Sequence, residues 1–265
     1  MFPYITVFGR QLGSYGLMAL CGALVAGVFM CWLTRKRGLN DNETIILMLF
    51  SALGVLVGGS VLYAITNWRL APALLAASDI KSFFRALVNL FGGSVFYGGL
   101  LGGIAAALLT MKKRRLEMAV FSDMFAVSIP LFHAFARVGC FLGGCCYGIE
   151  SEWGVTVHGN PWLPEINGVS RFPVQLLEAA LNLVLFSVLL WLYWRGEKRG
   201  IRMGRLIFVY LLLYAIVRFF DEFLRGDAIR GFIFGLTTSQ FISCILAAVS
   251  IVCLLYTWLR QKKRC

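Results

Sequence analysis

Charged residues are scarce in this 265-residue chain: Asp, Glu, Lys and Arg make up 14% of it, whereas 59% of the residues are hydrophobic. A soluble domain of this size buries its apolar side chains in one core and covers that core with polar residues. The mean hydropathy of +0.78 leaves too little polar surface for that arrangement. These values exclude an ordinary soluble domain and indicate an integral membrane protein.

Acidic residues are fewer than basic ones: the chain has 13 Asp and Glu against 25 Lys and Arg, which gives a formal net charge of +12. A basic excess can mark a nucleic-acid-binding protein, but sixteen of these basic residues fall in four short runs beside apolar stretches. That placement is typical of loops that orient membrane helices. We therefore expect membrane lipid, and no nucleic acid, as a partner. The runs lie within 35–37, 112–115, 195–205 and 260–264.

The chain also lacks internal repeats, low-complexity tracts and a soluble domain, so we expect one transmembrane domain over residues 1–265. Met1 to Arg10 has no basic region ahead of the first apolar run, and no A-x-A-like cleavage site follows that run. A cleaved secretory signal has both features. The first apolar segment is therefore expected to stay as a membrane helix.

Seven apolar segments are long enough to cross a hydrocarbon core of about 30 Å as helices. A basic run follows every second segment, which by the positive-inside rule places the N-terminus outside and the C-terminus in the cytoplasm. The predicted fold class is all-α, a polytopic membrane protein with about seven transmembrane helices. The segments lie near residues 12–33, 43–67, 93–111, 117–137, 174–194, 206–224 and 234–258.

Two outward-facing segments are long, near residues 68–92 and 138–173, and long ordered loops tend to be functional. In the first, apolar residues recur at helical spacing beside Lys81 and Arg85. This pattern predicts an amphipathic helix that lies on the membrane surface. The apolar residues are Leu70, Leu74, Ile80, Phe83, Phe84, Leu87 and Phe91.

Ionisable side chains inside membrane spans are costly and therefore mark candidate sites. Arg218 and Glu222 stand one helical turn apart and can pair, although such a pair can serve structure alone. Arg137 has no acidic residue one turn away, so we expect it to bind an anion such as a phospholipid phosphate. The inner half of the spans is read as free of ionisable residues, which argues against an ion or proton transporter.

Glycines surround Tyr97 and fill residues 138–148. Small residues let membrane helices approach closely, and this packing role explains many of them. A run as rich in glycine as 138–148 makes a poor helix, and irregular backbone at membrane depth must be buried or line a cavity. We therefore expect a cavity beside Arg137.

Three cysteines, Cys140, Cys145 and Cys146, cluster in the same outward segment as His158. Their spacing contains no C-x-x-C, and adjacent cysteines seldom bind one ion together. Packing is the favoured interpretation, a disulfide follows it, and a metal site ranks last.

Five motifs between the first and sixth spans resemble those of one family. Tyr15-Gly16-Leu17-Met18 is similar to a Tyr-Gly motif, and Phe96–Leu100 is similar to a His-Gly-Gly-Leu motif. Arg137–Gly148 resembles a loop that begins Arg-x-Gly-Asn-Phe. Phe172–Glu178 resembles Pro-x-Gln-Leu-Tyr-Glu, and Arg218–Arg225 resembles Arg-x-x-x-Glu-x-x-Arg. These motifs are those of the prolipoprotein diacylglyceryl transferases.

The resemblance implies an enzyme of the bacterial cytoplasmic membrane with its active site toward the outer leaflet. Such an enzyme transfers the diacylglyceryl group of phosphatidylglycerol to the lipobox cysteine thiol of a preprolipoprotein and releases glycerol phosphate. This reaction matures lipoproteins. The resemblance implies no metal and no organic cofactor.

Catalytic roles follow from the same resemblance. Arg137 would hold the phosphate, Arg218 would stabilise the charge of the departing phosphate, and Glu222 would orient Arg218. Tyr97 stands where the family usually has His, and it would position the acceptor thiol. The substrate-binding residues implied are Tyr15, Gly98, Gly99, Gly139, Cys140, Cys145, Gly148, Gln175 and Glu178.

The sequence departs from the family at three of these positions, because Cys140 replaces Asn and Cys145 replaces Glu, in addition to Tyr97. A second hypothesis therefore stays open beside the enzyme. On the same scaffold the chain would be a phospholipid-binding membrane protein without transfer activity, or a transferase with another lipid donor or acceptor.

Overall fold

A computed structural model describes residues 3–7, 9–158, 160, 163–198, 204–227 and 231–262. Helices dominate it, and three short antiparallel hairpins connect or precede them. The helices are α1 (Ser14–Lys36), α2 (Asp41–Thr66), α3 (Pro72–Leu75), α4 (Ile80–Phe91), α5 (Phe96–Lys113), α6 (Met118–Gly143), α7 (Val174–Lys198), α8 (Leu206–Asp221) and α9 (Thr238–Lys262). The hairpins pair β1 (Tyr4–Val7) with β2 (Arg10–Gly13), β3 (Glu150–Thr156) with β4 (Ser170–Arg171), and β5 (Phe232–Ile233) with β6 (Leu236–Thr237).

Each predicted span coincides with a helix, so a polytopic helical membrane protein is confirmed. In the described residues, five helices are long and apolar enough to cross a membrane: α1, α2, α6, α7 and α9. The pair α4 and α5 passes the same test together but is bent by 88°, which brings the count to six. At 16 residues, α8 is shorter than each of those five helices. The count of seven and the orientation of the termini stay predictions.

Large apolar side chains point outward along the long helices. Val28 is 71% exposed, Leu56 68% and Leu101 66%. Apolar surface of this extent is unfavourable in water but matches the hydrocarbon of a bilayer. These side chains are suited to contact with lipid, whereas half of the apolar stretch of α6 is buried inside the protein.

The described chain forms two compact units, one of Cys31–Met118 and the other of Met1–Met30 with Ala119–Cys265. In the first unit α2 packs on α5 through facing glycines. A Cβ on Gly98 would overlap the carbonyl oxygen of Gly58, and one on Gly102 would overlap that of Gly54. Only glycine permits this backbone approach, so the packing interpretation holds for these residues.

The basic ends of this first unit are anchored by the acidic first turn of α2. Arg35 pairs with Asp41 at 2.6 Å, and Arg114 binds Glu43 with both Nε and Nη2. Carboxylates in a first turn also complement the helix dipole. These pairs join the end of α1 and the end of α5 to the first turn of α2.

Helix α4 confirms the predicted helix within 68–92. Its start is fixed by a capping box between Asp79 and Ser82, and the hydrogen bond from Ser82 lowers the pKa of Asp79. One face leaves Ile80, Phe84 and Val88 exposed. This exposed apolar face and the 88° bend before α5 are what a surface-lying helix requires.

In the second unit, Asp123 of α6 fixes the start of α8. Its two oxygens accept the N–H groups of Gly204 at 2.7 Å and Leu206 at 2.9 Å. Asp123 is 2% exposed. It takes the role of the N-cap side chain of α8, because Arg205 at the N-cap position makes no side-chain capping hydrogen bond. The expectation that the inner half of the spans carries no ionisable residue is therefore wrong.

Candidate active site

Glu178 joins two arginines from different elements. Its Oε2 lies 2.5 Å from Nε of Arg137, and its Oε1 lies 3.2 Å from Nη1 of Arg225. Glu178 is the fifth residue of α7, which begins directly after Pro173, a residue suited to a helix start. The Glu178 side chain is 4% exposed, and that of Arg225 is 3% exposed. A buried carboxylate with two cationic partners is fully compensated in charge.

Arg137 was expected to lack an acidic partner, and the structure corrects this expectation. The partner, Glu178, comes from α7 rather than from the helix of Arg137, so helical spacing alone could not reveal it. The shortest contact of this pair is made by Nε. In the described part of the chain, the two Nη groups of Arg137 have no hydrogen-bond partner. They remain available to an anion.

The predicted pair between Arg218 and Glu222 is confirmed, with Nη2 2.7 Å from Oε2. The side chains are 10% and 6% exposed. The same Nη2 donates to Oγ of Ser239 on α9 at 3.0 Å. Nη1 of Arg218 is buried and has no hydrogen-bond partner among the described residues. An unsatisfied buried donor on a cation favours an anionic ligand.

Arg225 connects the two pairs. Its Nε lies 4.0 Å from Oε2 of Glu222, and it binds Asp227 with two nitrogens at 2.9 and 2.6 Å. Burial disfavours its charge, but the hydrogen bonds to Asp227 and the contact with Cys146 raise the pKa of Arg225. Asp221, the last residue of α8, interacts electrostatically with all three site arginines and with Glu178. The site is one network of alternating charges.

The loop after α6 is held against this network by its backbone. Gln175, 1% exposed, donates from Nε2 to the carbonyl of Cys145 at 2.8 Å, and Cys145 N–H donates to the carbonyl of Cys140. Gly148 forms a backbone bridge with Arg225. A Cβ at Gly148 would overlap the carbonyl oxygen of Phe172. Gln175 and Gly148 therefore shape the loop, and their predicted contributions to substrate binding stay predictions.

The three thiols of this loop converge. The Sγ atoms of Cys140, Cys145 and Cys146 lie within 4.8 Å of one another. Cys146 has φ +58°, in the left-handed region that L-residues rarely adopt. Hydrogen bonds from Cys140 and Cys145, together with Arg225, hold the pKa of Cys146 well below its ordinary value. His158, grouped with these cysteines from the sequence, is exposed and is no part of the cluster.

Tyr15 and Gly139 bring the first helix to this loop. A Cβ on Gly139 would lie 3.2 Å from the Cα of Tyr15, so a small residue is needed at this contact between α1 and α6. The Tyr15 side chain is half exposed and interacts electrostatically with Arg137, Cys140 and Cys145. Both residues therefore belong to the surroundings of Arg137, and their predicted contributions to substrate binding stay predictions.

Tyr97 and its glycines lie in the other compact unit, at the start of α5. Tyr97 is 47% exposed and its ring meets that of Phe96 edge-on. Gly98 and Gly99 are buried against α2, through Gly58 and Val55 respectively. Their predicted contributions to substrate binding stay predictions.

Two members of the network, Arg225 and Asp227, were missed as site residues. The sequence could have indicated Arg225, because it lies three residues after Glu222 and residues at that spacing share one face of a helix. Asp227 lies beyond the helical segment and pairs with Arg225 two residues before it, so helical spacing could not indicate this contact.

Taken together, the fold and this network define a polytopic membrane protein with a largely buried site that is rich in arginine. The sequence model described as "Prolipoprotein diacylglyceryl transferase" matches residues 3–256. The chain belongs to the prolipoprotein diacylglyceryl transferase family.

Relatives agree with this assignment along nearly the whole chain. A phosphatidylglycerol–prolipoprotein diacylglyceryl transferase of Clostridium tetani is 32% identical over 250 residues, which cover 92% of this chain and 93% of the relative. The enzyme of Legionella pneumophila strain Paris is 32% identical over 279 residues, 99% of both chains. Clostridium perfringens has a second such transferase that is 32% identical over 242 residues, 91% of this chain and 89% of its own length.

Proposed function

We propose that this chain transfers the diacylglyceryl group of phosphatidylglycerol to the cysteine thiol of a prolipoprotein. The relatives carry this activity in their names, and the chain covers about nine-tenths or more of each of the three named. The acceptor is the lipobox cysteine of a preprolipoprotein, and the product is a thioether-linked lipoprotein precursor.

The observation that carries the proposal is the unused donor capacity of two arginines, Arg137 with 21% of its side chain exposed and Arg218 with 10%. Both Nη groups of Arg137, and Nη1 of Arg218, have no hydrogen-bond partner in the described residues. A phosphate diester offers oxygens that match planar guanidinium donors. These groups suit a phospholipid headgroup better than a neutral substrate.

In this reaction the acceptor sulfur forms a bond to the diacylglyceryl carbon, and the bond from that carbon to the phosphate oxygen breaks. The electron pair leaves on glycerol phosphate, so negative charge grows on the phosphate. Arg137 holds the headgroup, and Arg218 stabilises the growing charge. Glu222 orients Arg218, Glu178 orients Arg137 and Arg225, and Tyr97 positions the thiol.

The test is transfer of labelled diacylglyceryl from phosphatidylglycerol to a lipobox peptide by the purified full-length protein. Arg137→Ala should lower the transfer rate by roughly 100-fold, because it removes the main headgroup contact. Arg195→Ala, at the other end of α7 and stacked on Trp191, is the matched control and should leave the rate near that of the wild type.

The alternative hypothesis makes a different prediction in the same assay. Phosphatidylglycerol would bind in a manner that depends on Arg137, yet no peptide would be lipidated. That result would replace the transferase by a phospholipid-binding relative or by an enzyme with another donor or acceptor.

The proposed orientation has seven spans, the N-terminus outside and the C-terminus in the cytoplasm of the bacterial inner membrane. The basic ends of α1, α5, α7 and the chain support it by the positive-inside rule. Alkaline phosphatase, which is active only outside the cytoplasm, should be active when inserted after residue 158 and inactive after residue 115. Activity after residue 115 would reverse the orientation.

A further inference from the structure

The proposed reaction needs the acceptor thiol as a thiolate, because the thiolate is the nucleophile. Glu178 and Glu222 are both engaged by guanidinium groups. The third carboxylate of the network, Asp221, is buried at the end of α8. Tyr97 stands where the family usually has His. A metal ion that binds the acceptor thiol would generate the thiolate without any of these groups.

The converging thiols of Cys140, Cys145 and Cys146 provide a site for such an ion. With Zn–S bonds of about 2.3 Å, the sulfurs of a tetrahedral zinc site lie about 3.8 Å apart, so the 4.8 Å limit seen here needs adjustments of about 1 Å. Thiolates are preferred ligands of Zn²⁺. Cys145 and Cys146 are adjacent, and both can supply thiolates because the left-handed backbone conformation of Cys146 changes the direction of the chain there.

The site is held in shape before any ion arrives. Gln175 fixes the carbonyl of Cys145, and Asn160 donates to the carbonyl of Gly144 at 3.3 Å. Arg225 hydrogen-bonds Cys146 and is fixed in turn by two hydrogen bonds to Asp227. A strained residue held by several partners is typical of a functional position.

We propose that Cys140, Cys145 and Cys146 bind one Zn²⁺ whose fourth coordination position takes the acceptor thiol of the lipid-transfer reaction. Three protein ligands and one open position are the arrangement of catalytic zinc sites, whereas structural sites use four protein ligands. No fourth His, Cys, Asp or Glu joins the cluster in the described residues. The inference rests on the proposed function for the identity of that fourth ligand.

The step balances as follows. On coordination the S–H bond of the acceptor breaks and its proton leaves to water, since a thiol bound to zinc is deprotonated. The zinc-bound sulfur then forms the C–S bond, and the carbon–oxygen bond to the phosphate breaks with its electron pair on glycerol phosphate. The thioether product is a weaker ligand than a thiolate, so water replaces it.

The proposal also assigns a role to two departures from the family. Cys140 and Cys145 stand where Asn and Glu are usual, and both supply ligands here. With Asn and Glu at these two positions, the loop would hold one thiol instead of three.

The first measurement is the zinc content of the full-length protein in detergent, followed by replacement with Co²⁺ as a spectroscopic probe. We expect about one zinc per chain and a sulfur-to-cobalt charge-transfer band. Cys145→Ser and Cys146→Ser should lose both, whereas Cys244→Ser, an exposed cysteine of α9, should keep both. Adding a lipobox peptide should shift the cobalt spectrum, and the same peptide with Ser in place of Cys should not.

The second measurement is lipid transfer before and after chelation. Chelation should lower the transfer rate by roughly 100-fold, and added Zn²⁺ should restore it, with phospholipid binding unchanged. Serine variants that transfer at the rate of Cys244→Ser would overturn the inference and leave the proposed function standing. A disulfide among the three cysteines in the purified wild type would also overturn it. Zinc binding with a peptide-induced cobalt shift but no transfer would support the metal site and overturn the proposed function.

Discussion

Glu178→Ala is expected to destabilise the protein by about 3–5 kcal/mol and to abolish transfer, because it leaves two buried cations without their shared carboxylate. The Arg137 and Arg225 side chains both bind Glu178, and the latter is almost completely buried. Losing one partner of a buried ion pair costs more than the pair itself contributes. The loss should appear as a lower unfolding midpoint in detergent together with loss of product.

Glu150→Ala is the matched control for this prediction. Glu150 also pairs with an arginine, Arg171, but its side chain is 71% exposed, so its removal should cost no more than about 1 kcal/mol. Combining Glu178→Ala with Arg137→Ala should recover part of the stability, since the double variant no longer buries an unpaired Arg137. Equal losses for Glu178→Ala and Glu150→Ala would show that burial does not govern this network.

Arg218→Ala should lower kcat by about 100- to 1,000-fold with a smaller change in KM, the range seen when one charge-stabilising donor is removed. The reason is its position: Nη2 is fixed by Glu222 and Ser239, which leaves the buried Nη1 for charge that develops during the reaction. Arg218→Lys should recover little, because a lysine cannot keep both fixed contacts and still present a third donor. The measurement is initial transfer rate against phosphatidylglycerol concentration in mixed micelles.

Ser239→Ala provides the comparison for Arg218. It removes only one hydrogen bond to the fixed Nη2 and should change kcat by about tenfold or less. If Arg218→Ala raised KM and left kcat unchanged, Arg218 would bind the ground-state headgroup rather than the departing phosphate.

The long helices could be predicted from the sequence because each is a continuous apolar stretch, and lipid imposes that composition directly. The pair of Arg218 and Glu222 could be predicted for an equally local reason, their spacing of one turn. Arg137 could not be placed correctly by such means. Its partner is 41 residues away on another helix, and only packing brings Glu178 to it.

The cysteine cluster illustrates the same limit at shorter range. The spacing rules for metal-binding cysteines assume a regular backbone, on which the side chains of two adjacent cysteines point in different directions. The left-handed conformation of Cys146 changes the direction of the chain at that point, and no residue type in the loop announces it. Asp123 is visible in the sequence as an ionisable residue of the fourth predicted span, but its capping role could not be predicted, because its partners are backbone N–H groups, which every segment of sequence contains.

That capping by Asp123 bears on how the protein is assembled. The carboxylate and the amides it accepts are 81 and 83 residues apart, so α8 receives its first-turn partner from a helix synthesised much earlier. Buried N–H groups at a helix start need a partner, and here that partner comes from another helix. The start of α8 therefore depends on its packing against α6, which lies earlier in the chain and leaves the ribosome first.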